Sequence, residues 1–388
     1  MKKNLISFVS DIIVLFLVSI GPALAAEPIK IGIVWPLTGV SAAAGLYLVA
    51  GAEIWRDKVN AEGGILGQPV KFFIEDGALD PAVSVSAAEK LITREKIDLF
   101  VGCMGSSPTM AVSTSVTRKY GIPHMVEVAG ADKITEENGK RPNPWLFRIS
   151  PTNRMEADLL QEFIPKMGFN KMALMPMNTD WGRGWADVFP KAAEKVGAKI
   201  VAVEFLNNDA TDFLTQLTKI KASGADSIVI STDGAQAAMV LKQYKQLGMT
   251  QKVITTGGGI VPELLVDLSG APAAEGVFIN TFFTPWFPEL TKIPQEAKWF
   301  VEEYTKRGHP VKGFGTCYRG YDALKAAKAA VDIAKTLDKE KVRDAFSKVD
   351  AWGLSGRIKF DEFGQSTPSM YIIQVKNGKP SIPDFMKR

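Results

Sequence analysis

Apolar, β-branched runs alternate with amphipathic or alanine-rich stretches along most of this chain. In one of these stretches, residues 234–247, Ala237, Leu241 and Tyr244 recur at helical spacing. This alternation predicts βαβ units and an α/β fold with parallel sheets covered on both faces. The predicted strands are 29–35, 70–75, 98–102, 124–128, 171–177, 199–205, 226–231, 252–256 and 276–283.

The strand–helix pattern runs twice, first from Ile29 and again from Lys171. A proline-rich segment at 140–145 separates the two series, and further breaks fall at 284–288 and 352–356. The chain is also too long for one ordinary domain. Three breaks are typical of two lobes that each contain segments distant in sequence.

The first 25 residues are typical of a secretory signal. Lys2 and Lys3 precede an apolar core at 12–20, and Ala23-Leu24-Ala25 fits the small-residue cleavage pattern. That core is too short to span a bilayer, which takes about 20 residues. We therefore expect a cleavable signal peptide and a periplasmic mature chain, with a buried N-terminal helix as the alternative.

Composition and charge narrow the function classes. The chain is 46% hydrophobic and 23% charged, with a net charge of +4. This charge is too weak and too dispersed to predict nucleic-acid binding. The two cysteines, Cys103 and Cys317, are compatible either with one disulfide in an oxidising compartment or with two small buried side chains.

Motifs of common enzyme classes are missing from the sequence. It has no phosphate-binding loop, no dinucleotide-binding turn after the first strand and no nucleophile elbow. The two histidines, His124 and His309, lie in no catalytic or zinc-binding pattern, and we interpret His124 as structural. We therefore expect no catalysis, no cofactor and no metal.

Ligands of open α/β sheets bind beyond the carboxyl ends of the strands. After the strand at 98–102, Ser106 and Ser107 lead into a helix. Their hydroxyls and the free N–H groups of the helix start favour an anion such as a carboxylate, or simply cap the helix.

Several short segments occur in the order typical of one family. The chain resembles type I periplasmic binding proteins of the Leu/Ile/Val-binding class over essentially its whole mature length. The segments are Pro36-Leu-Thr-Gly39, Asn60-Ala-Glu-Gly-Gly-Ile-Leu-Gly67, Asp76 with Asp80-Pro81, Val101-Gly102 with Ser106-Ser107, Tyr120-Gly-Ile-Pro123 and Tyr321-Asp-Ala323.

The resemblance implies a fold and a partner. The fold would be two Rossmann-like lobes with parallel sheets, joined by a three-strand hinge and closing on a small solute. Lobe 1 would comprise residues 26–148 plus 281–354, and lobe 2 residues 149–280 plus 355–388. The protein would be a monomer that delivers a branched-chain amino acid or related small carboxylate or amide to the membrane permease of an ABC importer. A ligand-presenting sensor and an exported enzyme are the alternatives.

The resemblance also implies roles for individual residues. Ser106 matches the serine that binds the ligand carboxylate, and Ala129 and Gly130 match positions that assist it. Trp181 matches an aromatic residue that packs over the ligand. Asp233 stands where the family often has tyrosine.

Gly257 departs from the family pattern, because amino-acid binders carry a carboxylate there for the ligand ammonium. Either Asp233 supplies that charge, or the ligand has no ammonium and is an aromatic or aliphatic carboxylic acid. The glycine would also leave room for a wider ligand. Trp35, Trp181 and Trp286 are candidate flat walls for an aromatic acid, or ordinary packing residues.

Overall fold

The computed structural model of this protein describes residues 27–39 and 41–386. The predicted signal peptide at 1–25 lies outside the described residues. In the described part of the chain, no helix has both the length and the apolar composition that crossing a bilayer requires.

A first sheet of five parallel strands forms from the N-terminal series, in the order β2-β1-β3-β4-β5. Its inner strands β1 and β3 are mainly apolar and buried, because helices cover both faces. The strands are β1 (Ile29–Trp35), β2 (Val70–Asp76), β3 (Leu99–Gly102), β4 (His124–Val126) and β5 (Leu146–Arg148).

A second sheet has seven strands in the order β14-β13-β10-β9-β8-β6-β7, and β11 pairs with β12 in a separate hairpin. These strands are β6 (Lys171–Pro176), β7 (Lys199–Val203), β8 (Ser227–Ser231), β9 (Lys252–Thr255), β10 (Phe278–Thr281), β11 (Asp350–Gly353), β12 (Gly356–Lys359), β13 (Tyr371–Lys376) and β14 (Lys379–Ser381).

The two sheets repeat one topology. The run β7-β6-β8-β9-β10 is parallel and has the same order as β2-β1-β3-β4-β5. In both, the first strand of the series lies between the second and the third, which creates a topological switch point. The predicted α/β fold and its repeat from Ile29 and Lys171 are confirmed. The antiparallel pairs β10–β13 and β13–β14 extend the second sheet.

Helices cover the faces of both sheets. They are α1 (Ala42–Ala61), α2 (Pro81–Lys90), α3 (Ser106–Val112), α4 (Arg118–Tyr120), α5 (Asn153–Gln161), α6 (Ile164–Met167), α7 (Asp180–Lys195), α8 (Leu214–Ala222), α9 (Gly234–Gln246), α10 (Pro262–Ser269), α11 (Ala271–Ala274), α12 (Pro294–Lys306), α13 (Cys317–Ala334) and α14 (Lys339–Phe346). A π-helical turn at Ser113–Thr117 joins α3 to α4. Helix α13 packs on α1, and Gly51 permits the approach, since a Cβ there would lie 1.8 Å from the carbonyl oxygen of Cys317.

The chain passes three times between the two sheets: after β5, after β10 and before β13. The division into lobes at residues 148, 280 and 354 stays a prediction. Ile358 and Phe360, beyond the last of these positions, pack with Phe147 and Phe346 in the core beside the first sheet. The last crossing therefore follows Phe360.

Candidate functional site

A cavity of about 480 Å³ lies between the two lobes, where the carboxyl ends of both sheets face each other. This is the position that the two switch points predict for a ligand. Its volume is within the range of pockets that enclose small organic ligands. The predicted site residues that line it are Ser106, Ser107, Ala129, Gly130, Trp181, Asp233 and Gly257.

Ser106 and Gly130 form a group of hydrogen-bond donors on the first lobe. Ser106 is buried, and its Oγ accepts a hydrogen bond from the N–H of Ala131 at 3.1 Å. The Ser106 O–H therefore remains available to the cavity. The Gly130 N–H has no acceptor among the described residues, whereas its carbonyl accepts from the N–H of Asn153 at 2.7 Å. Two donors on one wall suit a carboxylate.

The backbone of Ala129, expected to assist the ligand, is occupied by protein groups. Its N–H donates to Ser150 Oγ at 3.2 Å, and its carbonyl accepts from Arg148 Nη1 at 2.9 Å. The geometry thus differs from the sequence prediction because buried Arg148 and Ser150 compete for these groups. Ala129 offers the cavity only an apolar surface.

Ser107 links the lobes. Its hydroxyl donates to Asp180 Oδ2 at 2.7 Å, across the cleft at the start of α7. Lys133 Nζ lies 3.8 Å from Asp180 Oδ1 and adds a second contact across the cleft. Because its proton is committed to Asp180, Ser107 is placed to hold the cleft closed and its hydroxyl is not free for a solute.

Trp181 lies against glycines of both lobes. A Cβ atom at Gly130 would be 2.7 Å from Trp181 Cδ1, and one at Gly257 would be 2.7 Å from Cζ2. Both distances are far below van der Waals contact, so neither position has room for a side chain while the indole is in place. Gly257 also has φ +86°, which disfavours other residues. The indole thus fills the space that Gly257 leaves.

Asp233 lies at the start of α9 and lines the cavity. Its Oδ1 accepts a hydrogen bond from the N–H of Gln236 at 2.9 Å, which caps the helix. Burial raises the pKa of Asp233 above its ordinary value. The side chain therefore has a structural task and also presents a carboxylate to the cleft.

Glu156 is a cavity residue that sequence reasoning missed. Its Oε1 accepts hydrogen bonds from the N–H of Gly257 at 2.7 Å and from the amide of Asn280. Burial raises the pKa of Glu156 to about 7. It lies inside α5 and does not directly follow a strand in the sequence, so no motif marked it. This carboxyl lies at Gly257, the position at which the resemblance to amino-acid binders implies a carboxylate.

Arg319, also missed, is a buried cation at the inner end of the cavity. It is 6% exposed, and its Nη2 donates to the carbonyl oxygen of Gly257 at 2.7 Å. Its Cζ lies 5.4 Å from the ring centroids of Phe282 and Tyr318. The available signal was an arginine between Tyr318 and Gly320 in the first turn of α13.

Trp35 and Trp286 lie away from the cavity. Trp35 is fully buried beside α1 and α13, and its indole N–H donates to Glu127 Oε1 at 2.6 Å. Trp286 donates to Glu263 at 2.7 Å and packs on both cores. The prediction that Trp35 forms a flat wall of the ligand site is therefore wrong, because the side chain at the end of β1 faces the helices and not the cleft.

The remaining reactive side chains are structural. His124 is buried, hydrogen-bonds through its ring nitrogens to Gly102 and Thr117, and has a pKa lowered by burial to about 4. Cys103 and Cys317 are free and buried, and burial raises the pKa of both thiols. Within the described residues, no group of His, Cys, Asp and Glu side chains is arranged to hold a metal ion.

Comparison with known proteins matches this chain to one family. The family described as "Periplasmic binding protein" matches residues 28–380. An "Amino acid binding protein" of Pseudomonas aeruginosa is 25% identical over 350 residues, covering 90% of each chain.

Solved structures of two further proteins have the same fold. One is the branched-chain amino acid transporter substrate binding protein LivJ from Streptococcus pneumoniae, in complex with isoleucine. It has a TM-score of 0.80 and 24% identity, and the match covers 92% of this chain and 98% of that one. The other is a solute binding protein of an ABC transporter from R. palustris, in complex with benzoate, with a TM-score of 0.79, 21% identity and coverage of 92% and 95%. At these identities the likeness shows the fold alone.

Proposed function

Because this chain belongs to the periplasmic binding protein family, we propose that it is the solute-binding component of an ABC importer and that its solute is a small carboxylic acid without an ammonium group. The solute enters the cleft, the lobes close over it, and the closed form docks on the membrane permease. This function needs no cofactor and no catalysis. The names of similar proteins cover both branched-chain amino acids and benzoate.

The carboxylate binds at the first lobe. The Ser106 hydroxyl and the Gly130 N–H face the cavity without a protein acceptor. The indole N–H of Trp181 lies near Gly130, since Nε1 would be 3.0 Å from a Cβ there, and it too has no acceptor among the described residues. Three neutral donors stabilise one anion through charge-assisted hydrogen bonds.

The close contact between Trp181 and Gly257 is the observation that supports a solute without an ammonium group. An amino acid buries an ammonium, which costs several kcal/mol if no anion pairs with it. At position 257 there is no side chain, and the space is filled by an indole. The benzene edge of Trp181 offers an apolar contact, which suits an aromatic or aliphatic acid.

A branched-chain amino acid is the second candidate, and the carboxyls of Asp233 and Glu156 favour it. Either would pair with an ammonium. Both already accept backbone hydrogen bonds, Asp233 from Gln236 and Glu156 from Gly257. Burial raises the pKa of each, so ionising them without a paired cation is costly.

Export through a cleavable signal at 1–25 and residence in the periplasm are part of the proposal. A location outside the cytoplasm follows from membership of the family. The chain is proposed to act as a monomer.

Thermal unfolding with paired solutes tests this function. Each pair has the same skeleton with and without the α-amino group: leucine and 4-methylpentanoate, phenylalanine and 3-phenylpropanoate. A bound solute raises the melting temperature by mass action. We expect the acids, and benzoate, to raise it and the amino acids to have no effect. Stabilisation by leucine alone would select the second candidate, and turnover of a solute would contradict the binding role.

A further inference from the structure

Arg319 has far fewer protein partners than a buried guanidinium needs. Of its five N–H donors, one on Nη2 is bonded to the carbonyl of Gly257, the Tyr318 hydroxyl interacts with the guanidinium, and buried Nε has no acceptor. Among residues 27–39 and 41–386, no carboxylate oxygen lies within 4.0 Å of the guanidinium. An unpaired buried cation is costly, and a bound anion removes that cost.

Two buried carboxyl groups, Glu127 and Glu156, interact electrostatically with Arg319, but they do not neutralise its charge. Burial nonetheless raises the pKa of Glu127 to about 8 and that of Glu156 to about 7. At neutral pH much of this pair is protonated, so the guanidinium keeps net positive charge at the inner end of the cleft.

The cavity therefore has two anion-binding ends, one at Ser106 and one at Arg319. The position of the Trp181 side chain between them indicates the distance that separates them. The pyrrole end of the indole lies at Gly130, on the cavity wall that also carries the Ser106 hydroxyl. The benzene end lies at Gly257, whose carbonyl holds Arg319. The two ends are thus separated by about the length of an indole, with an apolar edge between them.

We propose that Arg319 binds a second anionic group of the solute, so that the preferred solute is a dicarboxylate whose charged ends are separated by a flat or extended apolar segment. This inference rests on the proposed function and sharpens its solute class. The planar guanidinium matches a carboxylate bidentately, which a serine or a backbone N–H does not.

A purely structural role is the competing explanation. Arg319 projects from α13 of the first lobe and bonds Gly257 of the second, so it also helps to hold the lobes together. A clamp of this kind affects every solute by the same factor. A subsite affects only solutes with a second carboxylate, so the ratio of two affinities separates the roles.

Calorimetric titration of matched acids measures that ratio. The pairs are terephthalate with benzoate and adipate with hexanoate. For the unmodified protein we expect the dicarboxylate to bind about tenfold tighter or more, the effect of a hydrogen-bonded charge pair. Arg319→Gln keeps much of the side-chain length, and we expect it to bring the ratio to about one while the monocarboxylate still binds.

Arg94→Gln is the matched control, because Arg94 is an exposed arginine that does not line the cavity. This substitution removes the same charge, and the affinity ratio is expected to persist. Melting temperatures without solute verify that both variants fold.

The outcomes separate this inference from the proposed function. If monocarboxylates bind and dicarboxylates bind no better, or if Arg319→Gln keeps the preference, the second subsite is wrong and the proposed function stands. If no acid of either kind binds, both are wrong.

Discussion

The indole of Trp181 lies on Gly257 so closely that a Cβ atom at the glycine would be 2.7 Å from Cζ2. Gly257→Ala should therefore displace the indole and strain a backbone with φ +86°. We expect a loss of about 1–3 kcal/mol of unfolding free energy and a weaker affinity for every solute. Urea unfolding and calorimetry measure the two effects.

Gly259→Ala is the control for that substitution. Gly259 also lines the cavity, but a Cβ there meets no atom within 4 Å and its φ is not positive. We expect near-normal stability. Equal losses from both alanines would mean that the loop tolerates no side chain and that the indole contact is not the cause.

Ser106→Ala removes a hydroxyl that faces the cavity. A hydrogen bond to a charged group contributes roughly 1.5–3 kcal/mol, so affinity should fall about tenfold or more. Titration of each bound acid gives the value. Exposed Ser347→Ala is the control, and unchanged affinity in Ser106→Ala would remove this residue from the site.

Asp180→Asn weakens the contact between Ser107 and Asp180 that joins the lobes. Because this contact joins the lobes, we expect faster solute dissociation, by about threefold to tenfold for a hydrogen bond of roughly 1 kcal/mol. The factor by which the dissociation rate increases should be the same for every solute. Surface plasmon resonance measures dissociation rates.

Asp158→Asn removes an exposed acid that pairs with Lys195 on the second lobe alone. It should leave the dissociation rate unchanged. An equal acceleration in both variants would indicate a general charge effect and not a contact between lobes.

Glu127 should make stability depend on pH. Burial raises its pKa from 4.5 to about 8, so the folded protein holds a proton that the unfolded chain releases. The unfolding free energy then falls as pH rises from about 4.5 to about 8. Glu127→Gln keeps an acceptor for Trp35 and should flatten this slope, measured by urea unfolding at several pH values.

Glu156 adds a slope of the same sign that ends near pH 7, so some dependence remains in Glu127→Gln. Glu340→Gln, at an exposed position of α14, should leave the profile unchanged. A Glu127→Gln profile identical to that of the unmodified protein would show that this carboxyl is already ionised.

The sequence predicted nine of the ten strands in the two parallel series, because runs of apolar residues mark strands that helices cover. It missed β5, which is only three residues long, and the hairpin β11–β12, which is rich in charged residues. It also missed β13 and β14, which join the sheet as an antiparallel edge. Their pairing is decided by tertiary packing and not by a local pattern.

Site residues that follow a strand could be predicted from the sequence, whereas site residues that lie inside helices could not. Ser106, Gly130 and Trp181 lie directly after strands or at the following helix start. Glu156 and Arg319 reach the cavity from helices α5 and α13, whose register depends on how the lobes pack. The sequence shows that Gly257 has no side-chain carboxylate, but only the fold reveals that Trp181 occupies the space beside this glycine.

The position of Trp181 between the lobes gives this protein an intrinsic optical reporter. The indole belongs to the second lobe and touches Gly130 of the first, so opening the cleft moves the ring from a packed to a hydrated environment. Trp35 and Trp185 are fully buried and form a constant background. Tryptophan emission should therefore shift to longer wavelength when the cleft opens, and capture of an unlabelled solute becomes visible in real time.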